Sequence, residues 1–267
     1  MYGAADVQHP RRIVCLSAEH AEICHALGAG ERVVGVPGTF RRVAETPRVG
    51  GFTSFRVDRI LALEPDLVLA FSDLQAEVCA ELIRAGRTVL CTNPRSIDEI
   101  FGAILLVGGA LGLTEQARAL VQDMRDEIRQ VREYSSVWPD RPRVYFEEWP
   151  EPLVAGIQWV SEIVELAGGR DIFPELRREA AATGRVVDGA EVARRDPEIV
   201  LASWCGKPVN VEAIRGRPGW EQVSAVKSGE IHALDGADIL SPGPAVLSGL
   251  RQIHEIVQAF MTRPRTT

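Results

Sequence analysis

The chain predicts an α/β protein of two doubly wound βα lobes joined by a long rigid helix. Three observations lead there. One phrase occurs twice: residues 57–70 read VDRILALEPDLVLA and residues 190–202 read AEVARRDPEIVLA. Each is a short amphipathic helical stretch, an acidic-Pro-acidic turn (Glu64-Pro65-Asp66, Asp196-Pro197-Glu198) and an apolar strand ending in Ala. A residue that precedes proline is pushed out of the helical region, and a strand buried on both faces reads as an unbroken apolar run. Secondly, Pro65 and Pro197 stand half a chain apart. Thirdly, from Ile97 to Tyr134 the pattern stays helical with no strand. Two similar lobes imply a cleft, and small molecules bind in clefts at domain interfaces.

The elements follow in order. Arg12–Leu16 is a strand; Ser17 caps a helix over Ala18–Leu27, which Gly28-Ala29-Gly30 stops. A strand at Val33–Val36 leads into a Pro-, Gly- and Arg-rich loop reaching Gly50-Gly51-Phe52. The first repeat gives a helix and the strand Leu67–Ala70, then come a helix over 74–85 and a strand at Val89–Cys91. The helical spine is interrupted around Gly108–Gly112 and ends at Pro139 and Pro142. In the second half, Arg143–Phe146 is a strand, Glu147–Gly156 a loop and Val160–Ala167 a helix. The second repeat, a strand at Glu230–Leu234 and a helix over Ala245–Phe260 complete it. The domains are thus residues 1–95, a spine over 96–138, and 139–267.

Composition narrows the function. A net charge of −7 argues against a nucleic-acid partner, and no apolar run is long enough for membrane insertion. Cys15, Cys24, Cys79, Cys91 and Cys205 are odd in number without a C-x-x-C pair, and they read as small, mostly buried hydrophobes rather than as disulfides or metal ligands. The opening MYGAADVQHPRR has no apolar segment. With free thiols, that places the chain as it stands in the cytoplasm, or in the periplasm or at the cell surface if a leader has been removed.

The opening IVCLSAEHAEICHALGAGERVVGV, LALEPDLVLA, SIDEI, VELAGG, DPEIVLAS, the W-x-x-V-x-A-V-K-x-G-x-I of Trp220–Ile231 and the SPGP of Ser241–Pro244 occur in one order across nearly the whole chain. Together they resemble the helical-backbone (class III) substrate-binding proteins of ABC importers, and within that class the cobalamin-binding branch. The resemblance implies the class III periplasmic-binding-protein fold with little hinge motion. It also implies a monomeric, non-enzymatic protein that captures cobalamin or a related corrinoid in the inter-lobe cleft, for ABC import or corrinoid handling. The corrinoid is a ligand; no cofactor is covalently bound.

In βα lobes, ligands sit where loops leave the carboxyl ends of strands, and aromatic faces suit a broad, partly apolar macrocycle. By resemblance, Phe52 and Phe71 fall where the family places tryptophans against the corrin, and Phe40 lies near a family tyrosine. Loop position adds Ser72, Trp149, Trp159, Trp204 and Asp238 as ligand-binding candidates. Asp58 aligns with a carboxylate that docks on permease arginines. The second-lobe counterpart falls at Ala190, with Glu191 one residue along. Ala245 stands in place of a family arginine.

Other readings set different requirements. Haem capture needs a His or Tyr ligand in such a loop; His20 is the histidine best placed, while Tyr145 lies within a strand. Ferric-siderophore capture needs clustered arginines, supplied by Arg41, Arg42 and Arg56. Metallocluster-type oxidoreductases with related lobes use cysteines, which here are dispersed. The sequence has no G-x-S-x-G, P-loop, H-E-x-x-H or paired-carboxylate motif.

Overall fold

The computed structural model of the chain describes residues 9–40 and 45–263. The described residues up to Pro94, with Asp98–Asp123, form one compact unit; Arg95–Ile97 and the described residues from Met124 onward form a second.

In the first unit, β1 (Ile13–Cys15), β2 (Val33–Gly35), β3 (Leu67–Phe71) and β4 (Val89–Thr92) form an all-parallel sheet in the order β2-β1-β3-β4. Parallel neighbours need crossovers, and α1 (Ala18–Ala26), α2 (Val57–Ala62) and α3 (Ala76–Arg84) supply them. Right-handed connections place α1 on one face of the sheet and α2 and α3 on the other. On the latter face Val14, Val68 and Ala70 pack with Ile60, Cys79 and Leu82 in one apolar cluster. The helical stretch that follows is α4 (Ile97–Ala110) and α5 (Thr114–Ser136). Between them Gly112 takes a φ of +72°. A Cβ there would lie 2.3 Å from the His9 ring, so glycine is the residue that fits. The division into units falls within α5.

The second unit has a five-stranded sheet. β5 (Arg143–Pro150) pairs in parallel with β7 (Arg170–Asp171) and β8 (Ile199–Ala202), β8 pairs in parallel with β9 (Ile231–Ala233), and β6 (Leu153–Ala155) runs antiparallel to β5. One face carries α7 (Gly189–Arg195), α8 (Val211–Arg215) and α9 (Ser224–Ser228), around a core of Tyr145, Val200, Val192, Ile214 and Trp220. The buried apolar residues of α6 (Gln158–Leu166) and α11 (Val246–Thr262) complete the core, with the short α10 (Gly236–Ile239) before α11.

Here one expectation is corrected: residues 147–156 are not a loop. β5 runs on to Pro150 and turns into β6 as a hairpin. Its end carries the adjacent carboxylates Glu147 and Glu148.

The repeated phrase has a physical cause that is the same in both units. Glu64 and Asp196, the residues before the prolines, both adopt left-handed backbone, with φ of 47° and 48°. Each ends its helix and turns the chain into the strand. The acid after each proline then holds the first strand of its own sheet. Asp66 Oδ2 accepts from the Arg12 backbone N–H (2.9 Å), and Glu198 Oε2 from that of Arg143 (3.0 Å). The Asp66 and Glu198 backbone N–H groups donate to the Arg12 and Arg143 carbonyls, both at 2.8 Å. The two arginines return the bond: Arg12 Nε donates to the Leu63 and Glu64 carbonyls, and Arg143 Nε to that of Asp196.

The two latches differ in one respect. The Asp196 carboxylate accepts from Ser224 N–H (2.8 Å), Ser224 Oγ (2.9 Å) and Arg143 Nη2 (3.0 Å). Asp196→Gly is therefore expected to cost about 1–3 kcal/mol despite the easier backbone. Glu64→Gly, which relieves left-handed strain at an exposed side chain, is expected to be neutral or to gain up to about 1 kcal/mol. Urea unfolding of both variants checks the contrast.

Candidate functional site

At the carboxyl end of the first unit's sheet, one side chain organises three segments. Gln75, buried, donates through Nε2 to the carbonyls of Leu16 (3.1 Å) and Phe52 (3.0 Å), and its Oε1 accepts from the Phe71 N–H (2.9 Å). This fixes the end of β1, the 50–55 loop and the end of β3 together. The result is an aromatic pair: the rings of Phe52 and Phe71 lie 6.1 Å apart at 47°. Phe71 is largely buried and Phe52 half-buried. Ser72 follows at φ 60°, a strained position for a non-glycine, and its Oγ accepts from the Leu74 N–H (3.2 Å). Gln75 was missed from sequence, because three partners distant along the chain leave no local pattern.

Phe40 is buried and stacks on His25 with centroids 5.8 Å apart, away from the Phe52–Phe71 pair in the contacts it makes. Arg41 and Arg42 lie outside the described residues. Arg56 pairs with Asp58 through two hydrogen bonds, at 3.0 and 2.8 Å.

His20 is wholly buried, and its ring nitrogens share hydrogen bonds with Ser17 Oγ (2.6 Å) and Thr92 Oγ1 (3.0 Å). Both nitrogens are engaged, so neither offers a lone pair to a metal. Ser17 thus stands at the head of α1 but spends its hydroxyl on His20 instead of the helix backbone. Glu19, in the first turn of α1, is buried too, and its Oε1 has no hydrogen-bond partner. Burial pushes its pKa up to about 7, while burial drives that of His20 down to about 4.

The two shifts oppose each other in stability. For Glu19, stability is present at low pH and is lost as pH rises from about 4.5 to about 7, because only the native state resists ionisation. For His20, stability is lost as pH falls from about 6.5 to about 4. Over the shared window the slopes cancel. Glu19→Gln is expected to unmask the histidine, so that the variant's stability declines steadily on acidification below about pH 6.5 while the parent's stays flatter. Equilibrium unfolding across that range reads this directly.

In the second unit, the carboxyl end of β5 carries two adjacent carboxylates that alternate between faces, each held by an arginine. Glu147, with no exposed surface, accepts from Arg217 Nη1 (2.5 Å) and Nη2 (2.8 Å) and from Trp204 Nε1 (2.9 Å). Glu148 pairs with the buried Arg185 at 2.5 and 3.1 Å, and accepts from the Ile157 N–H (3.1 Å). Trp204 is thereby oriented by Glu147 and packs on the apolar core beneath it. Trp149 lies within β5, under the Lys207 ammonium at 4.2 Å, and donates through Nε1 to the Glu151 carbonyl. Trp159, placed by sequence in a loop, is the second residue of α6 and is buried, with Nε1 donating to the Ile239 carbonyl (2.9 Å). That bond sets it beneath α10, where Asp238 accepts from Gln252 Nε2 (2.7 Å). Of the candidates, then, Phe52, Phe71 and Ser72 come together, and Trp159 lies by Asp238. Trp149 and Trp204 each hold separate partners.

A cavity of about 500 Å³ between β9 and α11 contains none of these candidates. Its buried Glu230 is already paired with Arg263 and His232. The expected docking carboxylates are also engaged. The Arg56 guanidinium holds the Asp58 carboxyl below its usual range, and Arg194 with Arg195 brings Glu191 down to about 2.

A model of the family described as periplasmic binding protein matches residues 13–237. The chain belongs to that family. It is 26% identical over 259 residues to an uncharacterised ABC transporter substrate-binding lipoprotein, YvrC, of Bacillus subtilis, covering 94% of this chain and 81% of that one. The vitamin B12-binding protein of Vibrio cholerae is 25% identical over 251 residues, 91% and 87% of the two chains. Among solved structures, the periplasmic heme-binding protein RhuT of Roseiflexus sp. RS-1 superposes with a TM-score of 0.80 at 24% identity, over 93% and 98%. The class III substrate-binding fold implied by the resemblance is thus confirmed, and an ABC permease is the partner that membership implies.

Membership also overturns the cytoplasmic placement: the family is periplasmic, and the Bacillus subtilis relative is a lipoprotein. The thiols do not oppose this. Cys15 and Cys24 are wholly buried, where unpaired thiols are shielded from oxidants in any compartment. Cys91, expected inside, is instead exposed on the edge strand β4. No helix among the described residues is long and apolar enough to cross a membrane.

Proposed function

We propose that this protein is the non-enzymatic, exported solute-binding component of an ABC importer and that its solute is cobalamin or a related corrinoid. The observation that carries this reading is the Phe52–Phe71 pair at the carboxyl rim of the first unit, set in place by Gln75. Two tilted aromatic faces on a strand-end rim suit a broad, partly apolar ring, which rewards contact area over point charges. The vitamin B12-binding relative supports it. Asp58 and Glu191 are the proposed docking carboxylates, each exchanging its own arginines for those of the permease.

Haem is the competing solute, named for a structural neighbour. It is disfavoured here by His20, whose two nitrogens are bonded to Ser17 and Thr92, and by Tyr145, which is buried within β5. The deciding experiment is calorimetric titration of the purified protein with cyanocobalamin and, separately, haemin. One-to-one saturable binding of cyanocobalamin with no specific haemin isotherm is expected. Haemin binding without cyanocobalamin binding would move the assignment to haem.

A further inference from the structure

We infer that Cys79 and Cys91 form a disulfide in an oxidising compartment, making the α3–β4 connection a site of reversible oxidation. The sheet register places them. Ala70 is the cross-strand partner of Cys91, and directly opposed residues of parallel strands point to the same face. Ala70 packs on the α2–α3 face together with Cys79. Thr92, the next residue of β4, reaches His20 of α1 on the opposite face, as strand alternation requires. Cys91 therefore faces α3, close enough to Cys79 for each thiol to influence the other's titration.

Accessibility separates this pair from the other cysteines. Cys91 is exposed, so an oxidant reaches it without unfolding. Cys15 and Cys24 also neighbour each other, but both are buried away from any oxidant. Cys205 is the sole cysteine of the second unit.

The reaction is two thiol–disulfide exchanges with a small-molecule disulfide such as oxidised glutathione. The Cys91 thiolate attacks one sulfur of the oxidant, forming a mixed disulfide and releasing the first thiolate. The Cys79 thiolate then attacks the Cys91 sulfur and displaces the second. The Cys79–Cys91 bond forms and the oxidant's bond breaks; its two halves leave as thiols carrying the two electrons and two protons. Burial raises both protein thiols, Cys79 to about 11, so the reaction accelerates with pH. Cys91 Sγ also lies 3.7 Å from the Ser72 carbonyl. Oxidation therefore withdraws a contact from the rim that carries Phe71.

Only the place of oxidation rests on the export proposed above; the pairing rests on the fold. The test is peptide mapping of the whole purified protein after incubation with oxidised glutathione at neutral and mildly alkaline pH. A cross-linked peptide joining Cys79 to Cys91 is expected, about 2 Da lighter than the dithiol form, more abundant at the higher pH and reversed by dithiothreitol. Cys91→Ser should leave Cys79 as a thiol. A Cys91–glutathione adduct with Cys79 still alkylatable after denaturation, or two surviving thiols, would overturn the pairing. The same mapping on protein secreted behind an export leader addresses location: oxidation in vitro but thiols in vivo refutes the exported setting and leaves the pairing intact.

Discussion

Arg217→Ala is expected to destabilise the protein by about 3–5 kcal/mol, the largest single effect foreseen outside the apolar core. Glu147 is without exposed surface, and Arg217 supplies two of its three side-chain hydrogen bonds. Removing the guanidinium leaves a carboxylate in a low-dielectric setting with only the Trp204 indole to answer it. The double variant Arg217→Ala, Glu147→Gln should regain most of the loss. A glutamine keeps the acceptor for Trp204 and carries no charge to strand. Urea unfolding read by tryptophan fluorescence reports both. A loss below about 1 kcal/mol in the single variant would mean that the pair is merely structural decoration, as exposed pairs are.

Phe52→Ala is expected to weaken cyanocobalamin binding about tenfold, and its combination with Phe71→Leu about a hundredfold, since an aromatic contact adds roughly 0.5–1.5 kcal/mol beyond the area it buries and each ~1.4 kcal/mol is a decade in Kd. Leucine is the useful replacement at 71. Phe71 is largely buried, and truncating it to alanine would cost about 3–5 kcal/mol of stability and confuse folding with affinity. Phe52 is half-buried, so its removal acts mainly on the ligand. Calorimetry of the two variants, with melting temperature as the control for folding, tests this. Unchanged affinity in both would remove the rim pair from the site and with it the chief support for a corrinoid.

What the sequence showed and what it hid divides along physical lines. The repeat was visible because its causes are local: a left-handed residue before proline, an acid after it, a run of apolar residues. The break at Gly112 was visible for the same reason. The end of β5 was not. Glu147 and Glu148 read as part of a loop, and only arginines 70 and 37 positions away turn them into buried or partly buried pairs. Gln75 was silent because an amide in an ordinary helical approach carries no signature; its meaning lies in the Leu16, Phe52 and Phe71 backbones. Trp149 and Trp159 looked like equivalent loop aromatics, yet one lies in a strand under a lysine and the other is sealed beneath Ile239. Side-chain chemistry was legible, and the direction each side chain takes was not.

The amide of Gln75 has a kinetic consequence. Because it ties three backbones together through the protein's own groups, an arriving molecule meets a rim whose shape is already set, and little ordering entropy is spent on capture. Arrival is then governed by diffusion and orientation, which vary little among related solutes. Discrimination falls to departure: a molecule that fits the Phe52–Phe71 rim stays, and a poor fit leaves quickly.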